Sequence, residues 1–319
     1  MNKLIWFFLL IFIHFSIAST GDRSQFYRQC LVECYYESCK HNVEFEISVF
    51  TEDDSFSWTC EENCRYSCMW DTVDFFTKRG YPVPQFHGKW PFLRLFGLQE
   101  PASVIFSIFN FYAHFMMYRK FRKEIRPSFP LSFLWNYCTL VCLNGWFWSA
   151  IFHARDKPFT EKMDYSCAFT IVVTLLYCIL IRIFYKNNKV YIVTTCGYIS
   201  ILYTHLSHLW SGKINYGYNM KLNIFFGFLT FIITLIWWYK NFKRIKHVYL
   251  IGWFNVLTVV VTLLEVADFP PLFWIFDAHS LWHASTAPLT YFLYRFMILD
   301  CHYLRKKYSQ VIIENGHFE

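Results

Sequence analysis

Long apolar segments alternate with short polar stretches along most of the chain after residue 100. Each segment has close to the ~20 residues that an α-helix needs to cross ~30 Å of hydrocarbon. The pattern therefore predicts an all-α membrane protein with a seven-helix transmembrane bundle over residues 99–303. The seven predicted segments are 101–118, 133–153, 164–184, 191–210, 222–239, 248–267 and 272–299.

The first residues of the chain form an apolar run of another kind. Lys3 is followed by a short apolar core and then by small residues, among them Ser16 and Ala18. This order is typical of a cleavable secretory signal peptide, which we expect over residues 1–18. An uncleaved first helix is the alternative, but the run is short for a membrane span.

A polar region, residues 19–98, separates the signal peptide from the first long apolar segment. It contains six of the 12 cysteines of the chain, and an even number in a translocated segment favours disulfides. The three-residue gaps between several of them would also suit a zinc module, although an oxidising lumen disfavours free thiolates. We therefore predict a disulfide-rich lumenal region. Its cysteines are Cys30, Cys34, Cys39, Cys60, Cys64 and Cys68.

The distribution of charge predicts the orientation of the bundle. The chain has a net charge of +7, with 17% charged against 55% hydrophobic residues, which excludes an ordinary soluble domain. The cations cluster in alternate loops, and positively charged loops stay in the cytosol. We therefore expect a lumenal N-terminus, a cytosolic tail over residues 304–319 and no nucleic-acid partner. The clusters are Arg119, Lys120, Arg122, Lys123 and Arg126; Lys186 and Lys189; Lys240, Lys243, Arg244 and Lys246; and Arg305, Lys306 and Lys307.

Five polar residues in or beside the apolar segments could carry out chemistry at the lumenal side. Ser149 and His153 lie one helical turn apart, and Asp164 follows across a short loop. His279 and His283 lie one turn apart on the last segment. Three imidazoles suit a catalytic zinc ion, which takes three protein ligands and activates a water molecule. Asp164 could accept the proton of that water, and Ser149 could orient the water or donate to a developing oxyanion.

The same five residues resemble, in type and spacing, the pattern of the CREST superfamily of seven-helix membrane hydrolases. Within that superfamily, the chain is similar to the branch of post-GPI-attachment-to-proteins phospholipases, which also has a cysteine-rich lumenal start. The strings that carry this resemblance are "KWPFLRLFGLQEPASVIFS" (89–107), "NGWFWSAIFHARDKPFTEKMDY" (144–165), "NYGYNM" (215–220) and "DFPPLFWIFDAHSLWHASTAP" (268–288).

The resemblance implies a zinc-dependent GPI-specific phospholipase A2, an ester hydrolase that removes the sn-2 acyl chain of GPI-anchored proteins during fatty-acid remodelling. It implies His153, His279 and His283 as zinc ligands, with Asp164 and Ser149 as catalytic residues. We expect a multi-pass protein of the Golgi membrane or of the endoplasmic reticulum membrane. The alternatives are a ceramidase-like amidase, and a non-catalytic lipid receptor or trafficking factor with the same metal site.

Other polar residues have simpler interpretations. His205 and His208 could hold a metal, but hydrogen bonding at the membrane interface accounts for them more easily. Glu265 and Asp268 end the sixth apolar segment, where they could shape a headgroup pocket or serve as helix caps and solvent contacts. Asp277 comes just before His279 and is a candidate hydrogen-bond partner of a ligand histidine.

Overall fold

The computed structural model describes residues 19–39 and 58–315 of the chain, and in this part the fold is all-α, with no strand beyond isolated bridges. The predicted signal peptide, residues 1–18, lies outside the described residues. The α-helices are α1 Gln25–Cys34, α2 Cys60–Thr77, α3 Pro101–Glu124, α4 Ser132–Ala154, α5 Pro158–Ile183, α6 Asn188–Trp210, α7 Tyr216–Asn241, α8 Val248–Val266, α9 Ala278–Thr286 and α10 Thr290–Asn315. A π-helical turn, Tyr35–Cys39, extends α1, and a 3₁₀ turn, Ala287–Leu289, joins α9 to α10.

All seven predicted segments fall on helices, with one difference in the last of them. Residues 272–277 precede α9, and the remainder is divided into α9, the 3₁₀ turn and α10. Pro288 lies in the 3₁₀ turn, where its missing N–H cannot continue the hydrogen-bond ladder of α9. Among the described residues, three helices are long and apolar enough by themselves to cross a membrane: Pro158–Ile183, Tyr216–Asn241 and Val248–Glu265.

Disulfides hold α1 and the π-helical turn against α2, as the cysteine pattern predicted. The zinc-module alternative is excluded here, because all six thiols are oxidised in pairs. The three cysteines of α2 are spaced four residues apart. Cys30 and Cys34 have the same spacing, but Cys39 follows Cys34 by five residues. The π-helical turn takes up the extra residue and so keeps Cys39 on the same face as Cys30 and Cys34. The pairs are Cys30–Cys68, Cys34–Cys64 and Cys39–Cys60.

The described residues up to Pro101 form one compact unit together with Asp268–Ala278, the connection between α8 and α9. Within this unit, the Asp268 carboxylate accepts hydrogen bonds from Gln85 Nε2 at 3.0 Å and from Trp90 Nε1 at 2.5 Å. Trp274 packs edge-on against Trp70, with ring centroids 5.1 Å apart. Asp268 therefore attaches the connection between α8 and α9 to the rest of this unit.

The second compact unit contains α3 to α10, except for Pro101 at the start of α3 and Ala278 at the start of α9. Its core is densely apolar, and Trp135, Phe169 and Phe296 are fully buried. α4 and α5 form an antiparallel hairpin with close contact. A Cβ atom added to Gly145 on α4 would lie 2.3 Å from Ile171 Cδ1 on α5, so the absence of a side chain allows the approach.

A buried ion cluster ties the far end of α5 to α10. Arg182 donates two hydrogen bonds to the carboxylate of Asp300, one of them at 2.7 Å. His247 Nε2 lies 3.0 Å from the same carboxylate, which is fully buried. A buried charge is costly unless it is paired and hydrogen-bonded, so these residues depend on one another.

We expect Arg182→Met to lower the free energy of unfolding by about 3–5 kcal/mol, because it leaves the Asp300 carboxylate buried without its cation. The measurement is the thermal unfolding midpoint of detergent-solubilised protein. The control is Lys189→Met, which removes an exposed cation. Adding Asp300→Leu to Arg182→Met should recover most of the loss. Equal midpoints for Arg182→Met and Lys189→Met would contradict the role of the cluster.

Candidate metal centre

Three histidines from two helices meet within the second unit. His153 is the second-last residue of α4, and His279 and His283 lie one turn apart on α9. The Nε2 atom of His279 is 3.3 Å from that of His153 and 2.9 Å from that of His283. One nitrogen from each of the three rings lies within 4.8 Å of the others. His153 and His283 are buried, and His279 is partly exposed.

The spacing of these nitrogens fits a tetrahedral zinc site. Zinc binds imidazole nitrogen at about 2.0–2.1 Å, and tetrahedral angles then separate two ligand nitrogens by about 3.3 Å. The separation of His153 and His279 agrees with this value, and that of His279 and His283 is slightly shorter.

The protonation of the rings leads to the same conclusion. His279 Nδ1 lies 2.6 Å from Glu265 Oε2, and an ionised carboxylate only accepts hydrogen bonds, so Nδ1 carries the proton. His283 Nδ1 lies 2.9 Å from Ser107 Oγ, which gives its own proton to the Ser103 carbonyl at 2.7 Å. With these protons on Nδ1, neutral His279 and His283 would each turn a bare Nε2 lone pair towards the other ring. Two such lone pairs can share a cation, so the donor set fits a divalent metal.

Ser149 is connected to this cluster through Ser107. The two hydroxyl oxygens are 3.1 Å apart and both are buried. Because Ser107 donates its proton to the Ser103 carbonyl, the hydroxyl of Ser149 donates to Ser107. The lone pairs of Ser149 then remain available to accept a hydrogen bond from another partner. Of the two roles that the sequence offered, this geometry favours orienting a water molecule over donating to an oxyanion.

Helix α3 supplies contacts that the sequence analysis missed. Besides Ser107, Asn110 donates from Nδ2 to the His283 carbonyl at 2.7 Å and accepts from the Thr286 hydroxyl at 3.1 Å. A signal was present, because Ser103, Ser107, Asn110 and His114 recur at helical spacing and are all buried. Such a polar stripe on a predicted membrane helix indicates a polar neighbour inside the bundle.

Asp164 lies in the second turn of α5, which begins at Pro158 rather than at Asp164 itself. It is partly buried. At 1.5 Å per residue, it lies about 9 Å from the start of α5, and Ser149 lies about 7.5 Å from the end of α4. Since α4 and α5 form an antiparallel hairpin, Ser149 and Asp164 lie at similar distances from the loop that joins the two helices.

The remaining candidates have separate surroundings. The sequence offered Asp277 as a partner for a ligand histidine, and this stays a prediction. The structure shows that Glu265, near the end of α8, contacts His279 Nδ1. His205 Nε2 lies 3.0 Å from Asn219 Oδ1, in line with the hydrogen-bonding interpretation. The His208 ring packs edge-on against Tyr218. Neither of these histidines belongs to a metal-compatible cluster in the described ranges.

The chain is similar to named proteins over most of its length. A family model described as the Per1-like family matches residues 51–301. Post-GPI attachment to proteins factor 3 of Drosophila melanogaster is 42% identical over 290 residues, covering 87% of this chain and 88% of that protein. GPI-specific phospholipase A2-like PGAP3 of Xenopus laevis is 39% identical over 312 residues, covering 94% and 96%. The Homo sapiens protein of that name is 36% identical over 297 residues, covering 91% of each chain.

We expect Ser107→Ala to weaken zinc binding by about 10-fold or more, because it removes the acceptor that holds His283 Nδ1–H. Competition between purified protein and a chromophoric chelator measures this affinity. Ser103→Ala is the matched control one turn away, since the Ser103 hydroxyl is buried with no hydrogen-bond partner in the described part of the chain. Equal zinc affinities for the two variants would contradict the role of Ser107.

Proposed function

The chain belongs to the Per1-like family, and we propose that it is a metal-dependent GPI-specific phospholipase A2. Its substrate is the lipid of GPI-anchored proteins, from which it removes the sn-2 acyl chain by ester hydrolysis during fatty-acid remodelling. The names of the relatives support the GPI lipid as the target. The observation that carries the hydrolytic role is the convergence of three imidazole Nε2 atoms beside a buried serine.

We assign zinc to this cluster, with His153, His279 and His283 as its ligands through Nε2. When bound, zinc would polarise the acyl carbonyl and lower the pKa of a water molecule. Ser149 accepts a hydrogen bond from the attacking water and so orients it. Asp164 accepts the proton of that water and returns it to the glycerol oxygen as the acyl C–O bond breaks. The products are a free fatty acid and a lysolipid.

The proposed setting is a seven-span membrane protein with a signal peptide over residues 1–18. Helices α3 to α8 supply six spans, and α9, the 3₁₀ turn and α10 supply the seventh. The cation-rich loops after alternate spans support a lumenal cysteine-rich unit and a cytosolic tail. His153, His279 and His283 then lie near the lumenal ends of their spans, at a depth that a lipid ester can reach. The compartment we propose is the Golgi or the endoplasmic reticulum.

We expect His283→Ala to abolish remodelling, because it removes one of three metal ligands. The variant is expressed in cells that lack the activity, and the lipid of a GPI-anchored protein is analysed by mass spectrometry. Unsaturated sn-2 chains should remain in place. His208→Ala is the matched control, since His208 is exposed and outside the cluster. Normal removal of the sn-2 chain by His283→Ala would refute the assignment.

We expect Asp164→Asn to keep its zinc but to lose about 10²–10⁴-fold in hydrolysis, the usual contribution of a general acid–base group. Purified protein is assayed on a diacyl GPI lipid and, in parallel, on ceramide. A zinc-loaded Asp164→Asn variant with full biological rescue would favour a non-catalytic receptor. Preferential cleavage of ceramide by the unmodified protein would favour an amidase.

A further inference from the structure

Glu265 occupies an unusual position for a carboxylate. It is the second-last residue of α8, an apolar helix long enough to cross a membrane. The sequence contains no Asp or Glu between Asp164 and Glu265, so α6, α7 and the rest of α8 contain no other acid. A carboxylate at the end of such a helix is costly to desolvate and is often functional. We therefore expect the contacts of Glu265 to show why a carboxylate lies there.

The contact of Glu265 is specific. Its Oε2 atom lies 2.6 Å from His279 Nδ1, and the two side chains are 24% and 33% exposed. The opposite nitrogen of the same ring, Nε2, faces the Nε2 atoms of His153 and His283. Glu265 thus lies directly behind one of the converging imidazoles, on the side away from the centre of the cluster.

A hydrogen bond in this position has two effects on a ligand histidine. It places the ring proton on Nδ1, which leaves the Nε2 lone pair available, and it fixes the orientation of the ring. An anionic acceptor also raises the basicity of Nε2 and adds a negative charge near the cation. His283 has a neutral acceptor in the same position, the Ser107 hydroxyl, so the carboxylate contributes charge that the serine cannot.

The contact between Glu265 and His279 joins the two helices on either side of the α8–α9 connection. The chain leaves the second unit after Ala267 and returns to it at His279. His279 thus follows directly on a segment that packs elsewhere, and its position is not determined by a long continuous helix. The hydrogen bond that Glu265 Oε2 accepts from His279 Nδ1–H joins residues on either side of this segment and fixes the position of His279.

We propose that Glu265 is a positioning residue of the metal centre, which orients His279 and increases the affinity for the divalent ion through its negative charge. The inference rests on the proposed metal-dependent function and extends it to a residue outside the three ligands, Asp164 and Ser149.

The test compares Glu265→Gln and Glu265→Ala in full-length purified protein. Gln keeps an acceptor for Nδ1–H but loses the charge, whereas Ala loses both. Chelator competition should show zinc binding weakened by about 10-fold for Glu265→Gln and about 100-fold for Glu265→Ala. The visible spectrum of the cobalt-substituted protein should shift in both variants. Glu124→Gln, an exposed acid at the end of α3, is the control and should match the unmodified protein.

Other outcomes would overturn the inference. A purely structural role predicts lower thermal midpoints of the metal-free variants with unchanged zinc affinity and an unchanged cobalt spectrum. Zinc affinity in Glu265→Ala equal to that of Glu124→Gln would have the same meaning. Unmodified protein that binds no stoichiometric metal would end both proposals. Unmodified protein that binds zinc but cleaves no GPI lipid would end only the proposed function, because the effect of Glu265 on affinity is measured without substrate.

Discussion

The Nε2 atoms of His279 and His283 face each other across 2.9 Å, and a cation between their lone pairs would stabilise this arrangement. The outer nitrogens of both rings must then be protonated and hydrogen-bonded. Ser107 on α3 and Glu265 on α8 meet that requirement. Orienting these two rings thus gives a reason for the polar side chains of Ser107 and Glu265, and it connects α3, α8 and α9.

Asp164, the proposed general base, and the Arg182–Asp300 cluster lie near opposite ends of α5. Asp164 is in its second turn and Arg182 is its second-last residue. Their separation along the helix is about 27 Å, close to the ~30 Å of a hydrocarbon core. In the Arg182–Asp300 cluster, the cation and the carboxylate neutralise each other, whereas the histidine cluster is the site to which we assign a metal ion. The interior between them is packed with large apolar side chains such as Trp135 and Phe169.

The sequence predicted the helices well because a long apolar run marks a helix even where, as in α7 and α8, most of its side chains are not buried in the protein interior. It also predicted that His153, His279 and His283 would meet, and the i, i+4 spacing placed the last two on one helix face. It did not predict Glu265 as the partner of His279, because that contact spans a segment that leaves the unit and returns. The sequence did not predict the break between α9 and α10. Hydropathy is insensitive to the backbone N–H that Pro288 lacks. The polar stripe on α3 was visible in the sequence, but its neighbour could be identified only from the packing.

The three disulfides are nested, and nesting has a consequence for the order in which they form. Cys39–Cys60 closes the shortest loop, with a sequence separation of 21, against 30 for Cys34–Cys64 and 38 for Cys30–Cys68. Closing a shorter loop costs less chain entropy. Once the inner bond exists, the next pair is separated by only a few residues on each side. Oxidation from the inside outwards is therefore the least costly route, and each bond reduces the number of wrong partners left for the remaining thiols.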